Sequence, residues 1–207
     1  AMGGRTAVAA LMAALDDPDR RVRRAAALAL GESGDLSTAA ALRQTIENDQ
    51  AEDVTAVAAR SLGRLHAPGA RGFLLQQLER DSRWWNSIRL GALLGLDELE
   101  DASLAPTFRA YTDARYQRQV RVAALEAWFH AAPGDQGLAT RLRELVDDRN
   151  RNLRGKALEL LGKLHRADDA AFLEDFAARE PDPNLALAAR EALDEIQAFA
   201  GRQGETH

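Results

Sequence analysis

Metal binding and nucleophilic catalysis both need side chains of defined type at defined spacing, and the sequence offers few of them. The only histidines are His66, His130, His165 and His207, and there is no cysteine. No H-E-x-x-H helix, phosphate-binding glycine loop, dinucleotide fingerprint or G-x-S-x-G elbow occurs. The sequence therefore predicts that the chain is not an enzyme and that it holds no metal or cofactor.

Arginines are the second group that could recognise a ligand. Arg20, Arg21, Arg23 and Arg24 stand within five positions, as in a contact with nucleic-acid phosphates. The formal net charge of −5 opposes such a partner, because a phosphate-binding chain must supply surplus cations. The helices that carry these arginines decide between a nucleic-acid contact and a structural role within a repeat.

A repeat of about 33 residues underlies the sequence. An apolar anchor recurs at intervals of 32 to 34 residues, an alanine follows four positions later, and a large apolar residue follows four positions after that. These positions fall on one face of a helix, and alanine there predicts a close approach of another backbone. The anchors are Val22, Val54, Ile88, Val120, Leu153 and Leu185, and the alanines are Ala26, Ala58, Ala92, Ala124, Ala157 and Ala189.

Six further segments with helical spacing alternate with the anchor helices, so each repeat is predicted to be a pair of helices. Ser37 and Asp135 are predicted N-caps, and Gly34 is a predicted left-handed residue at a helix end. Such a pair cannot bury its apolar stripe alone, but stacked pairs can. We therefore predict an all-α fold, an α-solenoid of six helical hairpins with about twelve helices, curved as a right-handed superhelix.

One solenoid domain is predicted over residues 5–200, with linker or cloning residues at 1–4 and a flexible tail at 201–207. The anchor helices are predicted near 20–33, 53–65, 86–99, 118–131, 151–164 and 184–199. No long apolar run and no charged-then-apolar leader occurs in the sequence. This pattern predicts no membrane partner and favours a cytoplasmic location.

Two segments, DDPDRRVRRAAALALGESGD and DDRNRNLRGKALELLGKLH, resemble short HEAT repeats of the phycobilin-lyase-like type. They share an acidic turn, then Val or Leu followed by Arg, then the pattern Ala-x₃-Leu-Gly. The resemblance implies the HEAT architecture over nearly the whole chain. It implies no particular activity, because functional sites vary on one fold.

The repeat also explains the arginines. Arg23, Arg89, Arg121 and Arg154 each follow an anchor by one position, so they form one column of the predicted stack. We predict an Asp–Arg ladder between repeats in preference to a nucleic-acid contact. The predicted acidic partners are Asp16, Asp17, Asp19, Asp147 and Asp148.

Three tryptophans and a group of apolar residues are candidates for recognising a protein. Trp128 takes the place of leucine in the apolar column and is predicted to be core, while Trp84 and Trp85 either fill a wide step between repeats or form an aromatic ledge. Leu90, Leu94 and Val122 lie opposite the core stripe, where they either form a docking patch on the concave side or pack against neighbouring repeats. The candidate partner-binding residues are Trp84, Trp85, Arg89, Leu90, Leu94, Arg121 and Val122.

The segments WWNSIRLGALLGLDEL, RYQRQVRVAALEAW and DDRNRNLRGKALELLGKL look like the C-terminal helical repeats of bacterial M1-family zinc aminopeptidases. Asn86, Ile88, Arg89, Gly91 and Ala92 match the pattern Asn-x-Ile-Arg-x-Gly-Ala. This resemblance implies a non-catalytic accessory domain that docks on a catalytic domain or covers it. The zinc motif and the Gly-x-Met-Glu-Asn loop of that family are missing, so no catalytic residue carries over.

Two alternatives stay open beside this interpretation. One is a stand-alone HEAT-repeat scaffold or lyase-like protein that binds another protein. The other is a HEAT-like DNA glycosylase, in which Trp84, Trp85 or Trp128 would hold a lesion near Asp81 or Asp97. The net acidity of the chain weighs against the glycosylase, so we predict a protein partner and no nucleic acid.

Overall fold

The computed structural model describes the backbone of residues 2–80 and 85–204 and the side chains of residues 6–80 and 87–203. Within these ranges the regular secondary structure is entirely helical, with three short 3-10 turns at Leu36–Thr38, Ala102–Leu104 and Ala167–Asp169. The α-helices of this part are α1 (Met2–Ala14), α2 (Arg20–Glu32), α3 (Ala39–Asn48), α4 (Glu52–Arg64), α5 (Ala70–Glu79), α6 (Trp85–Asp97), α7 (Ala105–Ala110), α8 (Arg118–Ala131), α9 (Gln136–Leu145), α10 (Arg151–Lys163), α11 (Ala170–Arg179) and α12 (Pro183–Gly204).

Consecutive helices form pairs, in which we call the odd-numbered helix A and the even-numbered helix B. The pairs fall into two compact units, one up to Ala131 and one from Ala132 onward. In the first unit four pairs stack through α2, α4, α6 and α8; in the second, α10 stacks on α12. The predicted all-α fold of helical pairs is therefore confirmed, while a single domain over residues 5–200 remains a prediction.

The helix ends differ from the sequence prediction where local hydrogen bonding decides them. Asp135 caps α9 as predicted, because its carboxylate accepts a hydrogen bond from the Gly137 N–H at 2.8 Å. Ser37 is not an N-cap; Asp35 caps the 3-10 turn before α3, and the Ser37 N–H is its donor. α1 begins at Met2, inside the predicted linker, and α12 continues to Gly204, inside the predicted tail, since no proline or capping residue interrupts either segment.

The core follows the predicted columns with one exception at the start of the chain. All six column alanines are buried, and so are five of the six anchors. Val22, the first anchor, is 39% exposed. The other five anchors lie on B helices that follow α2 in the chain.

Adjacent B helices approach each other very closely, because small residues face each other. A Cβ atom added at Gly63 would lie 1.8 Å from the carbonyl oxygen of Gly95, and one added at Gly31 would lie 2.5 Å from the Cβ of Ser61. A Cβ added at Gly162 would likewise lie 2.8 Å from the Cα of Ala192. Within each unit, this approach aligns the neighbouring B helices side by side.

His66 and His165 lie just after B helices, as the sequence predicted, and they adopt left-handed backbone conformations with φ of 47° and 51°. Gly34 has the predicted positive φ, 67°. Such residues end a helix by turning the chain away from its axis. His165 also stacks on Phe199, with ring centroids 4.2 Å apart, so its ring contributes to the packing of α12.

Candidate protein-binding surface

Two of the four arginines in the predicted ladder, Arg23 and Arg154, form ion pairs between repeats, and their acidic partners differ from the predicted ones. Arg23 donates to both carboxylate oxygens of Asp49, at 2.7 and 2.9 Å, and to the backbone carbonyl of Asp17 at 2.9 Å. Arg154 makes the corresponding ion pair with Glu180. The acid thus comes from the end of the next A helix, whereas the predicted Asp17 contributes only its carbonyl.

Arg89 and Arg121 stand in the same column, but each donates a hydrogen bond to a backbone carbonyl. The Arg89 Nε donates to the carbonyl of Leu78 at 2.9 Å, and the Arg121 Nε donates to the carbonyl of Thr112 at 3.1 Å. Arg121 is only 7% exposed. The guanidinium of this predicted partner-binding residue thus satisfies a backbone carbonyl just after the Ala105–Ala110 helix, and its contact with a partner remains a prediction.

The arginine cluster at the start of α2 is largely occupied by carboxylates. Arg20 lies 3.1 Å from Asp53 and Arg21 lies 2.8 Å from Asp19, in addition to the Arg23 pair. Arg24 is exposed and makes no hydrogen bond or ion pair with any described residue. One cation of the cluster is therefore available to a partner.

Apolar residues of the candidate site are placed on adjacent B helices of the first unit. Leu90 and Leu94 on α6 and Val122 on α8 are all partly exposed. Leu28 on α2 occupies the same repeat position as Leu94 and is 37% exposed. We call this surface the B-helix face and define it by Arg24, Leu28, Leu90, Leu94 and Val122.

An open groove of about 1040 Å³ adjoins the B-helix face at the N-terminal ends of α2, α4 and α6. Its apolar lining includes Ala56, Val57 and Leu90, and its polar lining includes Arg20 and Arg24. The acids of the groove have partners already: Asp53 binds Arg20, and Glu52 accepts a hydrogen bond from the Ser87 hydroxyl. Of the arginines that line the groove, Arg24 is the one with no partner among the described residues.

Of the three tryptophans, the structure describes the side chain of Trp128. Trp128 is fully buried, with the guanidinium of Arg109 5.8 Å from its ring centroid, as the core prediction required. Trp84 lies outside the described residues, and Trp85 begins α6 with a side chain that also lies outside them. A buried Trp128 cannot stack on a DNA lesion, which removes one support of the glycosylase alternative.

Charged residues line the C-terminal ends of the same B helices. Glu98 pairs with Arg60 at 2.7 Å and with Arg64 at 3.1 Å, and Arg64 lies 3.6 Å from Glu32. Burial acts to raise the pKa of Glu98, but the hydrogen bonds from Arg64 and Arg60 outweigh it and lower that pKa. Glu32, Arg64 and Glu98 share one position in successive repeats, so their alternating charges could have been found in the sequence.

Asp97 and His130 form a second polar pair beside this network. The Nδ1 atom of His130 lies 2.9 Å from Asp97 Oδ1, and its ring is largely exposed. Burial raises the pKa of Asp97, although the hydrogen bond from His130 opposes the shift. A carboxylate at Nδ1 orients the ring and leaves Nε2 as the nitrogen that could exchange a proton with a bound molecule.

The part of the chain that the structure describes contains no group of three or more acidic or histidine side chains placed to hold a metal ion. It also contains no helix with the length and apolar character needed to cross a bilayer.

Comparisons with known proteins agree with the helical pairs. Residues 1–63 match the family of HEAT repeats. YibA of Escherichia coli is similar in structure, with 16% identity, a TM-score of 0.58 and coverage of 93% of this chain and 83% of that one. An archaeal HEAT-like repeats protein from Thermococcus onnurineus NA1 is similar at 19% identity, with a TM-score of 0.52 and coverage of 94% and 88%. The fold is HEAT-like.

A third similar structure is the complex of CpcE and CpcF of phycocyanin lyase from Nostoc sp. PCC7120, at 18% identity. The match covers 90% of this chain and 93% of that chain, with a TM-score of 0.49. A search of the curated proteins finds no match. The sequence-based prediction that the chain is not an enzyme is corrected here, since one of the similar structures is of a phycocyanin lyase complex.

Proposed function

We propose that this chain is a HEAT-like scaffold that binds another protein on the B-helix face of its first unit. The observation that carries the proposal is a set of large apolar side chains that stay partly exposed on B helices of the first unit: Leu90 and Leu94 on α6, Val122 on the adjacent α8, and Leu28 on α2. Contiguous apolar surface on a folded protein is typical of a docking site, and helical repeats commonly bind partners across several stacked helices.

The charges around this row suggest what the partner presents. Arg24 makes no hydrogen bond or ion pair with a described residue, whereas the neighbouring Asp53 pairs with Arg20. A partner segment with an apolar stripe and an acidic residue at one end would bury Leu90 and meet Arg24. Rim charges of this kind contribute more to orientation and association rate than to affinity.

The narrower hypothesis is that the partner is the catalytic domain of an M1-family aminopeptidase. It would use the same face, since Leu90 and Leu94 belong to the segment that resembles that family. Its support is the resemblance of three sequence segments alone, and the comparisons favour a HEAT scaffold or a lyase-like protein. Both hypotheses, the accessory domain and the scaffold, imply a protein partner.

The proposal is tested by site-specific crosslinking. A photoreactive amino acid at Leu94 should capture a partner that the same group at Leu36, an exposed leucine outside the B-helix face, does not capture. The captured protein is then purified, and its affinity is measured by calorimetry for the wild type, Leu90→Asp/Leu94→Asp and the control Leu36→Asp.

We expect the double variant to bind at least about tenfold more weakly than the wild type, a loss of about 1.4 kcal/mol of binding free energy. Its thermal unfolding should match that of the wild type. Unchanged affinity would contradict the proposal. If the double variant unfolds, Leu90 and Leu94 are core residues, and Leu28→Asp at the more exposed position must then weaken binding for the surface to stand.

A further inference from the structure

Apolar residues of the B-helix face form a strip that crosses the stacked B helices of the first unit. The helices α2, α4, α6 and α8 stack in that order. Each of them contributes at least one apolar side chain that is partly or fully exposed: Leu28 on α2, Ala56 and Val57 on α4, Leu90 and Leu94 on α6, and Val122 on α8. The strip therefore runs across the helix axes and not along them.

The dimensions of the strip match those of one helix. Three interhelical spacings of about 8–10 Å separate α2 from α8, so the strip is about 24–30 Å long. Leu90 and Leu94 are about one turn apart on α6, which makes the strip narrow, and a helix with its side chains is about 10–12 Å across. A helical segment of about 16–20 residues would span the length of the strip.

The strip offers no backbone hydrogen bonds to a bound segment. Its residues lie within α-helices, whose backbone N–H and C=O groups are paired along each helix. An extended segment laid on the strip would bury backbone groups of its own without partners, and each such group is costly to leave unpaired. A helix pairs its backbone groups internally. An amphipathic helix, with its apolar side toward the strip, is therefore the occupant that fits best.

The two ends of the strip carry opposite charge. At the α2 end, Arg24 is exposed and makes no hydrogen bond or ion pair with a described residue. At the α8 end, Glu126 is partly exposed and lies near Asp97, whose pKa is raised by burial and, to a smaller extent, by the charge of Glu126. Between the two ends, Arg60 on α4 already pairs with Glu98. A bound helix therefore meets a cation at one end and carboxylates at the other.

We infer that the partner binds through one amphipathic helix that crosses α2, α4, α6 and α8, with an acidic residue near its N-terminus opposite Arg24 and a basic residue near its C-terminus opposite Glu126. The inference rests on the proposed function, because it names the segment that occupies the B-helix face. An acidic N-terminus and a basic C-terminus also stabilise the bound helix itself through its dipole. The opposite direction would place like charges together at the α8 end, where they repel.

Crosslink mapping tests the direction of this helix. The photoreactive amino acid is placed singly at Leu28, Leu94 and Val122, and mass spectrometry identifies the partner residue that each one captures. We expect all three crosslinks in one segment of the partner, with the Leu28 site about 16–20 residues before the Val122 site. Crosslinks in unrelated segments, or in the reverse order, would overturn the inference although a partner is captured. No capture at Leu94 would instead remove the proposed function and the inference with it.

Charge reversal gives a second readout, measured with the purified partner at low salt and at pH 8, where an exposed histidine is neutral. Arg24→Glu and Glu126→Lys should each weaken binding by about three- to tenfold. Replacing the acidic residue of the partner by lysine should restore the affinity for Arg24→Glu and not for Glu126→Lys. Arg190→Glu is the matched control: Arg190 is an exposed arginine of the second unit, also without a partner among the described residues, and this variant should bind like the wild type.

The affinities separate the two ideas. If Arg24→Glu and Glu126→Lys bind like the wild type while Leu90→Asp/Leu94→Asp binds weakly, the inference is overturned and the proposed function stands. If the leucine variant also binds like the wild type, the proposed function fails as well. Circular dichroism melting establishes that the variants fold, and Glu126→Gln, which removes the charge without reversing it, replaces Glu126→Lys if that variant unfolds.

Discussion

The close approach of α4 and α6 makes Gly63→Ala the most demanding test of the stacking described above. The added Cβ would lie 1.8 Å from the Gly95 carbonyl oxygen, roughly half the 3.4 Å at which ordinary contact begins. The clashing atom belongs to the backbone, which cannot rotate away as a side chain can. The two helices must therefore separate, and the apolar contacts beside Gly63 must loosen with them.

Two opposing terms determine the magnitude. In an open helix, replacing glycine by alanine stabilises the fold by about 0.5–1 kcal/mol, because alanine loses less backbone entropy. Overpacking a tight interface costs about 1–3 kcal/mol or more. We therefore expect Gly63→Ala to lower the free energy of unfolding by at least about 1 kcal/mol.

The matched control is Gly72→Ala in α5, where an added Cβ would meet no atom within 4 Å. This change should raise the free energy of unfolding by about 0.5–1 kcal/mol, so the two substitutions differ in sign. Urea denaturation followed by circular dichroism measures both. If Gly63→Ala is as stable as Gly72→Ala, the helices are not packed as closely as the structure shows.

Three further changes test the polar interactions. Arg23→Ala leaves the buried Asp49 carboxylate unpaired and should cost about 3 kcal/mol at pH 7. Burial acts to raise the pKa of Asp49, but the hydrogen bonds that Asp49 accepts outweigh it and lower that pKa. The stability contributed by the ionised Asp49 is therefore present above the pKa of the unfolded state and is lost as pH falls through the folded-state pKa. The urea midpoints of wild type and Arg23→Ala should accordingly converge in acid. Asp97→Asn should raise the urea midpoint at pH 7. Burial raises the pKa of Asp97, so the stability linked to its protonated form is lost as pH rises through that pKa, and the neutral amide does not lose it. A lower midpoint for the variant would contradict this. His66→Gly should stabilise the chain by roughly 1 kcal/mol in the same assay, since φ is 47° there, and a loss would show that the imidazole makes a compensating contact.

The candidate surface shows where sequence reasoning stopped. The position of Leu90, Leu94 and Val122 on the face opposite the core followed from helical periodicity. Their exposure did not, because it depends on how near the neighbouring B helices come. Arg121 has the same column position as Arg23, yet it is buried against the Thr112 carbonyl, since the short α7 ends there and leaves that acceptor to be satisfied.

Local patterns in the sequence determined the helical pairs, the buried alanine column and the HEAT-like character of the fold. These follow from spacing within one helix, where 3.6 residues per turn decide which side chains share a face. Only the tertiary structure decided which acid pairs with Arg23, which leucines stay exposed and that Val22, unlike the other anchors, is exposed. Those outcomes depend on distances between helices far apart in the chain, which are set by the small residues where the backbones meet and are not encoded in any one segment.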